Sequence, residues 1–408
     1  MENKTVSRRE VLAAATAATL LRPERVLGAN DRIRVAMIGV GRRGLLGEAL
    51  LFAKESNVDL AVVCDTWRQR RETAAERIQK ILGTTPELSL SWQDVLARKD
   101  IDAVIIATPD HQHCTQLAAA ARAGKDAYIE KPMAMNMKEL IMAVDTVKKY
   151  NRVVQVGTQI RSLPSSVAAK KFVAAGGLGK IIKVEQSRNA WKPYWHGYAD
   201  PNLKESDVDW KAFLMHVKPR PFDADQYTAW MGYREFSQGA HAGLMVHFID
   251  LLHFITGATA PRRVMAMAGT YRWKDARTCP DSIEVMLEYP EGFLVRYNST
   301  FGNGANNYLK FFGTRGVMDA SRWGWKDSFA ISGEGTQDTD RVQPGQAIPP
   351  AESVHHMKNY FDCLRSRQTP NASIDAGYAH SVAAIMADIS FQKRKEVTYD
   401  AAKRAIKA

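Results

Sequence analysis

The sequence predicts an α/β protein with a doubly wound parallel sheet in its first half and a mostly antiparallel sheet in its second. Two observations support this fold class. From the apolar run Val35–Val40 onward, buried-type strands alternate with helical patterns, as expected of a parallel sheet covered by helices on both faces. After Val154, the strand-like runs "KIIKVEQSRNAW", "RRVMAMAGTYRW", "DSIEVMLEYP" and "FLVRYNSTFG" lack this regular alternation, which indicates antiparallel pairing.

The first apolar run continues into a glycine-rich turn and then a helical pattern. The turn reads Gly39-x-Gly41-x-x-Gly44, with Arg42 and Arg43 between the last two glycines. Glycines there permit a tight turn and the close approach of a pyrophosphate to the helix N-terminus. The motif alone is a weak signal, but the strand before it and the helix after it support it. We therefore predict a Rossmann domain with these five residues at the cofactor phosphates.

The second apolar run, "DLAVVCD", ends at Asp65, 21 residues after Gly44. An acidic residue at this place can accept hydrogen bonds from the adenosine ribose hydroxyls, and it repels a 2′-phosphate. The sequence therefore favours NAD over NADP, although Arg68 and Arg70 directly behind Asp65 oppose that preference. A simple turn residue at the strand end is the alternative role for Asp65.

Polar residues follow the ends of two further predicted strands. Thr108, Pro109, His111 and His113 come after "IDAVIIA", and Glu130 and Lys131 come after "DAYI". Ligands of doubly wound sheets bind beyond the carboxyl ends of the strands. We therefore expect all six residues to contact the cofactor, with helix capping or solvent exposure as the alternative for the two histidines.

The motif Glu130-Lys131-Pro132, after the glycine motif and "ATPDHQH", resembles the glucose–fructose oxidoreductase / inositol dehydrogenase (Gfo/Idh/MocA) family. The resemblance covers nearly all of the chain after residue 30. It implies a Rossmann domain at residues 30–157 and a substrate-binding and oligomerisation α/β domain at residues 158–408, with an open, mostly antiparallel sheet. The C-terminal helices, within residues 353–393, are expected to pack back on the domains.

The resemblance also implies catalytic roles for Lys131, beside the nicotinamide, and for His247, the acid/base partner in "GLMVHFIDLLHFITG". Asp250 lies three residues later on the same helical face and is expected to orient the imidazole or contact the substrate. The chain departs from the family at Gly243, where the family has an aspartate, and His241 is the candidate to fill part of that space. From the pattern alone, a buried core histidine is the alternative for His247.

Residues 189–236 are rich in aromatic side chains, namely Trp191, Tyr194, Trp195, Tyr198, Trp210, Tyr227, Trp230 and Tyr233. Flat aromatic faces suit stacking on sugar rings, so Trp195 is a candidate substrate contact. The alternative is that these side chains pack a long loop onto the sheet or form a subunit interface. Arg161 and Arg234 are the positively charged candidates for substrate contact.

Composition narrows the class of partner. The 408 residues carry a formal net charge of +12, but the basic residues are spread along the chain without a nucleic-acid-binding motif. We therefore expect no nucleic-acid partner, while an anionic substrate or cofactor fits the charge. The four cysteines lie far apart, so neither a zinc site nor a disulfide framework is predicted, and no metal.

The chain begins with the layout of a targeting peptide. Arg8 and Arg9 directly precede the apolar run Val11–Leu21, which is about half the length that a membrane-spanning helix needs. Twin arginines before a short apolar run are typical of a bacterial Tat signal. We predict a signal peptide at residues 1–29, the Tat export machinery as a partner, a periplasmic or otherwise exported protein and no stable membrane anchor. A basic amphipathic helix of a cytoplasmic protein is the alternative.

Together these observations predict an NAD-dependent oxidoreductase that acts on a sugar, a polyol or a sugar derivative. The resemblance implies a homo-oligomer and, for exported members, a tightly bound cofactor. The first alternative is a redox-neutral NAD-dependent glycoside hydrolase or lyase, in which oxidation, elimination, water addition and reduction follow one another. A non-catalytic sugar-binding protein stabilised by NAD is a third possibility, and the presence of both Lys131 and His247 argues against it.

Overall fold

The computed structural model describes residues 31–41, 45–193, 200, 202–343 and 345–408, without the side chains of residues 240 and 241. The predicted signal peptide, residues 1–29, therefore lies outside the described residues, as do Arg42, Arg43, Gly44 and Trp195. Within the described ranges, no helix combines the length and apolar character that a membrane span requires.

The first half of the described chain forms a six-stranded sheet in the order β3-β2-β1-β4-β5-β6. Every strand pair in it is parallel, which confirms the predicted doubly wound sheet. Apolar runs that are buried on both faces explain the pairing, since β1 and β4 consist almost entirely of buried Ile, Val, Ala and Met. The strands are β1 (Ile33–Ile38), β2 (Val58–Cys64), β3 (Glu87–Ser89), β4 (Ala103–Ile106), β5 (Asp126–Ile129) and β6 (Val154–Val156).

Helices connect these strands. Their ends follow local chemistry: the side chain of Asn136 accepts a hydrogen bond from the N–H of Glu139 at the start of α5, and Gly83 adopts a left-handed conformation (φ +75°) at the end of α2. The helices are α1 (Leu46–Ala53), α2 (Arg68–Leu82), α3 (Trp92–Ala97), α4 (His113–Arg122) and α5 (Met137–Lys149).

The second half of the described chain forms a ten-stranded sheet in the order β14-β13-β12-β11-β7-β10-β9-β8-β15-β16. Its pairs are antiparallel except that β7 and β10 run parallel, so the sheet is mostly antiparallel, as predicted. The exception arises because a long segment with helices, not a hairpin, follows β7. The strands are β7 (Ile181–Ser187), β8 (Arg263–Gly269), β9 (Ser282–Tyr289), β10 (Phe293–Thr300), β11 (Tyr308–Gly313), β12 (Gly316–Asp319), β13 (Phe329–Ser332), β14 (Gln346–Ile348), β15 (Val397–Asp400) and β16 (Ala405–Lys407).

Six helices belong to this half: α6 (Pro164–Ala174), α7 (Trp210–Leu214), α8 (Ala224–Thr228), α9 (Ala240–Thr256), α10 (His356–Ser366) and α11 (Ile374–Lys393), counted over the described residues. Helix α9 packs against α6 and α11, and α11 packs against β8 and α5. Burial alternates along β8 and β9. One face of the sheet therefore lies against helices, while the other exposes Met265, Met267, Met286 and Leu294.

Helix α10 returns to the first domain. Met357, Tyr360 and Phe361 belong to the same buried cluster as residues of α1 and β1. The Tyr360 hydroxyl donates to the carbonyl oxygen of Val104 in β4 at 3.2 Å, and Arg365 donates to the carbonyl oxygen of Ser56, just before β2, at 2.8 Å. The C-terminal part of the chain thus completes the core of the N-terminal sheet.

Candidate functional site

The turn after β1 has a backbone that only glycine can supply. Gly39 has φ +87°, and a Cβ at this position would lie 2.6 Å from the carbonyl oxygen of Ala107, just after β4. The Gly39 N–H donates to the carbonyl oxygen of Cys64 at 2.8 Å, and the Ala107 N–H donates to that of Ile38 at 2.8 Å. The turn therefore sits wedged between the ends of β2 and β4, which is where such sheets bind nucleotides.

Asp65 connects this turn to the end of β2. Its carboxylate accepts the N–H of Val40 at 2.9 Å and the N–H of Trp67 at 3.0 Å. The side chain is buried but lines the cleft. A carboxylate has about four acceptor positions, so the two backbone bonds leave room for ribose hydroxyls. Asp65 therefore stabilises the turn at the strand end, and its remaining acceptor positions can still bind the ribose hydroxyls, as predicted.

A cleft opens beside these residues, at the carboxyl ends of the parallel strands. From the first domain it is lined by Gly39, Gly41, Asp65, Thr66, Arg70, Thr108, Pro109, Gln112 and Gln116. A glycine cradle, an acid at the end of β2 and a wall of small polar groups fit a dinucleotide cofactor. When bound, the nicotinamide of such a cofactor accepts or donates a hydride.

The two histidines after β4 brace the loops around the cleft. The His111 Nε2 atom lies 2.9 Å from the carbonyl oxygen of Phe213, and burial lowers the pKa of His111 to about 4. The ring of His113 lies between the carbonyl oxygens of Pro132 (2.7 Å) and Thr108 (2.8 Å). Neither histidine lines the described cleft, so the structure shows a structural role for both, and their contact with the cofactor stays a prediction.

Glu130 is also engaged within the protein. Its carboxylate accepts the N–H of Lys131 at 3.1 Å and the side-chain N–H of Gln159 at 3.1 Å. It packs so closely on Gly157 that a Cβ there would lie 2.6 Å from the Glu130 Oε1 atom. Glu130 therefore orients the loop that presents Lys131, and it does not line the described cleft.

Lys131 is bonded to helix α9, the helix that carries His247. The Lys131 Nζ atom donates to the carbonyl oxygen of Gly243 at 3.0 Å. His247 lies four residues further along α9, on the same face of the helix, and its side chain is 9% exposed. The position where the chain departs from the family motif thus contributes its backbone carbonyl to hold the lysine.

A buried acid beside Lys131 was not among the predicted site residues. Asp110 accepts a hydrogen bond from the Ser237 hydroxyl at 2.6 Å. Burial raises the pKa of Asp110 to about 7, against the opposing effects of that hydrogen bond and of the Lys131 charge, while the Glu130 charge raises it further. The one sequence signal was its place directly after the strand-end Pro109.

Asp250 and Arg161, both predicted to contact the substrate, form a buried ion pair. Arg161 donates to both carboxylate oxygens of Asp250 at 2.7 Å, and His380 Nδ1 lies 3.1 Å from Asp250 Oδ1. Burial opposes ionisation of Asp250, but Arg161 and His380 outweigh it and hold the pKa of this carboxyl below its usual range. Asp250 is 1% exposed and pairs with Arg161, so the structure shows a structural role for both residues, and their contact with a substrate stays a prediction.

Arg234 is likewise committed within the protein. Its guanidinium forms an ion pair with Asp388 of α11 at 2.6 Å, and its backbone N–H donates to the Thr278 hydroxyl. The side chain of His241 lies outside the described part of the structure, although its backbone belongs to α9. Within the described residues, no group of three His, Cys, Asp or Glu side chains is placed to hold a metal ion.

The described part of the aromatic segment lies over the cleft. Phe213, Tyr227, Trp230 and Met231 line its outer side. Trp67, Phe213, Tyr227, Tyr233 and Phe236 form one buried cluster, so these aromatics pack, while Trp191 is 65% exposed. Sequence reasoning counted Tyr227 and Trp230 in this segment but assigned neither to the cofactor.

The cleft lies where the strand order of the parallel sheet reverses, which is where this fold binds a dinucleotide. The second domain contributes the Gly243 carbonyl that holds Lys131. The class of protein is an NAD-binding oxidoreductase. Two family models match the chain. One describes an oxidoreductase family with an NAD-binding Rossmann fold and matches residues 33–158. The other is the GFO/IDH/MocA C-terminal domain and matches residues 211–319. Together they cover more than half of the chain, which belongs to the Gfo/Idh/MocA family.

Three known proteins illustrate the similarity. A glycosyl hydrolase family 109 protein from Shewanella baltica is 28% identical over 192 residues, so the alignment spans 42% of this chain and 42% of that protein. A levoglucosan dehydrogenase in complex with NADH has a TM-score of 0.67 at 22% identity, covering 90% of this chain and 99% of the other. The WlbA dehydrogenase from Chromobacterium violaceum, in complex with NADH and UDP-GlcNAcA, has a TM-score of 0.67 at 19% identity, covering 91% and 96%. The two structural similarities show a shared fold.

Proposed function

We propose that the protein is an NAD-dependent oxidoreductase that acts at a carbinol carbon of a sugar, a polyol or a sugar derivative and keeps its cofactor tightly bound. The observation that carries the proposal is the contact between Lys131 and the Gly243 carbonyl. It holds a proton-transferring group at the junction of the cofactor-binding domain and the helix that carries His247. Sugar-related substrates of relatives in this fold support the substrate class.

The residues on α9 and after β5 account for the proton chemistry. Oxidation of a carbinol removes the hydroxyl proton to a base and transfers the C–H hydrogen with its electron pair to the cofactor, leaving a carbonyl. Lys131 accepts or returns the hydroxyl proton, and His247 is the second proton-transferring group on the same side of α9. The Gly243 carbonyl and the Glu130 carboxylate fix where Lys131 stands.

The preference for NAD rests on Asp65. Its carboxylate lines the cleft at the end of β2, where a negative charge opposes a 2′-phosphate. Two family relatives in this fold are described in complexes with NADH. Asp65→Ser should therefore weaken the selectivity for NAD over NADP, measured as the ratio of the two dissociation constants.

A redox-neutral glycoside hydrolase is the second candidate. It is favoured by the similarity to glycosyl hydrolase family 109 proteins, which covers less than half of the chain. In this reaction the same proton-transferring groups serve an oxidation, the elimination of the glycosidic bond, the addition of water and the return of the hydride. The cofactor is then regenerated within each turnover.

One experiment separates the two candidates. The purified protein, with its native cofactor, is mixed with a panel of free sugars and aryl glycosides while reduced-nicotinamide absorbance and aglycone release are followed together. Lasting, stoichiometric reduction by a free sugar supports the oxidoreductase. Aglycone release over many turnovers without net reduction supports the glycoside hydrolase, and neither signal with any compound contradicts both.

Export and self-association complete the proposal. The twin arginines Arg8 and Arg9 support Tat export in a folded state, and fusing residues 1–29 to a folded reporter tests it.

The exposed face of the second sheet, with Met267 76% exposed, supports a homo-oligomer because an apolar face of this kind is stabilised by burial. Light scattering of the wild type and of Met267→Glu measures whether that face associates.

A further inference from the structure

The aromatic segment at residues 208–236, called the clasp below, is fastened to the first domain on both sides of the cofactor cleft. At the end of β2, the Asp209 N–H donates to the carbonyl oxygen of Thr66 at 2.9 Å. A hydrogen bond of 2.9 Å also joins the hydroxyls of Thr66 and Tyr227. The clasp therefore follows the strand end at which a Rossmann fold holds the adenosine ribose.

The second attachment lies after β4. The carbonyl oxygen of Phe213 accepts hydrogen bonds from the side chains of Gln112 at 2.7 Å and His111 at 2.9 Å, and the His111 N–H donates to the carbonyl oxygen of Phe236 at 3.1 Å. Because the two attachments stand on opposite sides of the cleft, the clasp spans it. The side chains of the clasp therefore form the outer wall of the cleft. The residues that line the cleft from the clasp include Phe213, Tyr227, Trp230 and Met231.

Arg70 closes the space between the clasp and the glycine turn. Its guanidinium lies 4.9 Å from the ring centre of Trp67 and 5.5 Å from that of Tyr227. Its Nη1 atom would be 3.2 Å from a Cβ placed on Gly41. Since cations on aromatic faces are attracted to the ring electrons, Arg70 joins the first domain to the clasp directly at the mouth of the cleft.

We propose that the clasp is the second wall of the adenosine site, with Tyr227 as a cofactor-contacting residue, and that the cofactor dissociates only when the clasp lifts from Thr66 and Trp67. The proposal rests on the dinucleotide binding within the proposed function and not on the identity of the substrate. The proposal explains the predicted tight binding of the cofactor, because protein would cover the adenosine end on both sides.

The test measures dissociation directly. Wild-type protein and variants are loaded with NADH, and the loss of NADH fluorescence is followed after mixing with excess NAD. Tyr227→Phe removes the hydrogen bond to Thr66 and keeps the ring, so we expect dissociation to be roughly threefold to tenfold faster. Tyr227→Leu also removes the ring from the wall and should be faster still. The matched control is Phe222→Leu, because Phe222 packs on Trp210 in the same cluster but does not line the cleft.

A second measurement separates contact from general stability. AMP contains only the adenosine half of the cofactor, so Tyr227→Leu should weaken AMP binding at least tenfold while the affinity for nicotinamide mononucleotide is unchanged. Melting temperatures of the cofactor-free forms are recorded alongside. Equal dissociation rates in the wild type, Tyr227→Leu and Phe222→Leu would overturn the proposal even if every variant melts at a lower temperature. A wild type that binds neither NADH nor AMP would overturn the dinucleotide site itself, which is a distinguishable failure.

Discussion

At the cofactor cleft the groups that shape the site are mainly backbone atoms, whereas around helix α9 they are charged side chains paired with one another. Gly39 fits because it has no side chain, and Asp65 accepts bonds from the N–H groups of neighbouring turns. Around α9, Arg161 and the Nδ1 atom of His380 both contact the Asp250 carboxylate in the protein interior. The first region is an open cleft with room for a ligand. The second is a closed network of buried charges that stabilises helix α9, which carries His247.

The difference teaches which charged residues are available for chemistry. From the sequence, Asp250 and Arg161 were candidates for substrate contact, Asp250 because it lies in the family motif and Arg161 because of its positive charge. Arg161 and Asp250 pair with each other in the interior, while the Lys131 Nζ atom donates to the Gly243 carbonyl oxygen. A buried ion pair of this kind supports the fold, so we expect the proton chemistry at Lys131 and not at Arg161 or Asp250.

Replacing Lys131 should have the largest effect. Lys131→Met removes the proposed proton-transferring group, so kcat should fall by about 10²–10⁴-fold, while the dissociation constant of NADH should change far less because the glycine turn and Asp65 remain in place. Lys125→Met is the control, because Lys125 lies at the other end of β5 and also donates to a carbonyl oxygen, that of Ile101 at 2.7 Å. If Lys131→Met kept full turnover with bound cofactor, the proposed chemistry at this residue would be wrong.

Breaking the buried pair comes next. Arg161→Met leaves the Asp250 carboxylate buried without its main partner, which should lower the free energy of unfolding by about 3–5 kcal/mol. Lys358→Met breaks an exposed pair with Asp362, whose side chains are 37% and 47% exposed, and should cost at most about 0.5 kcal/mol. Urea titrations measure both, and similar costs for the two variants would refute the contrast between a closed network and a surface pair.

The glycine turn gives a third comparison. Gly39→Ala places a Cβ 2.6 Å from a carbonyl oxygen of the neighbouring strand end, so the turn must move and NADH affinity should fall about 100-fold. Gly83 has a similar positive φ of +75° but nothing within 4 Å of its Cβ position. Gly83→Ala should therefore cost only about 1 kcal/mol of stability and leave NADH affinity intact. Calorimetric titration with NADH measures the affinity of both variants. Equal losses of affinity would contradict the proposed importance of the close contact between Gly39 and the Ala107 carbonyl oxygen.

Asp110 should produce the smallest effect, and one that depends on pH. Burial raises its pKa from the ordinary 3.8 of an aspartate to about 7, so the folded state holds a proton that the unfolded state releases between these pH values. Burial of this carboxyl therefore does not lower the free energy of unfolding below about pH 4, and it lowers that free energy increasingly as the pH rises to 7. Asp110→Asn should gain about 1–3 kcal/mol of stability relative to the wild type between pH 5 and pH 7.5. Exposed Asp338→Asn is the control, and a gain that does not change with pH would rule out the proton linkage.

Features encoded over short distances were predictable from the sequence. The glycine turn, Asp65 and the alternation of strands and helices each depend on neighbours within one βα unit, where periodicity and turn chemistry decide the outcome. The parallel sheet and the mostly antiparallel sheet were confirmed for this reason. The short strand β3 and all strands from β11 to β16 were missed, mostly because runs of three or four residues carry little pattern, although β11 has six residues.

Pairings over long distances were not predictable. Arg161 and Asp250 are 89 residues apart, and Asp250 and His380 are 130 apart, so no local pattern shows that they meet. The same applies to the parallel pairing of β7 with β10 and to the attachment of Phe213 to Gln112, 101 residues away. Lys131 and His247 could be singled out only because a family resemblance marked them.

The return of helix α10 to the first domain bears on how the protein is made. Met357, Tyr360 and Phe361 belong to the apolar core on one side of the N-terminal sheet, and Arg365 holds the backbone at Ser56. During synthesis, the first 157 residues leave the ribosome with part of that side of the sheet uncovered, because α10, which packs there beside α1 and α2, has not yet been translated. The nucleotide-binding domain thus reaches its final form only near the end of translation, and a nascent chain needs protection from aggregation until then.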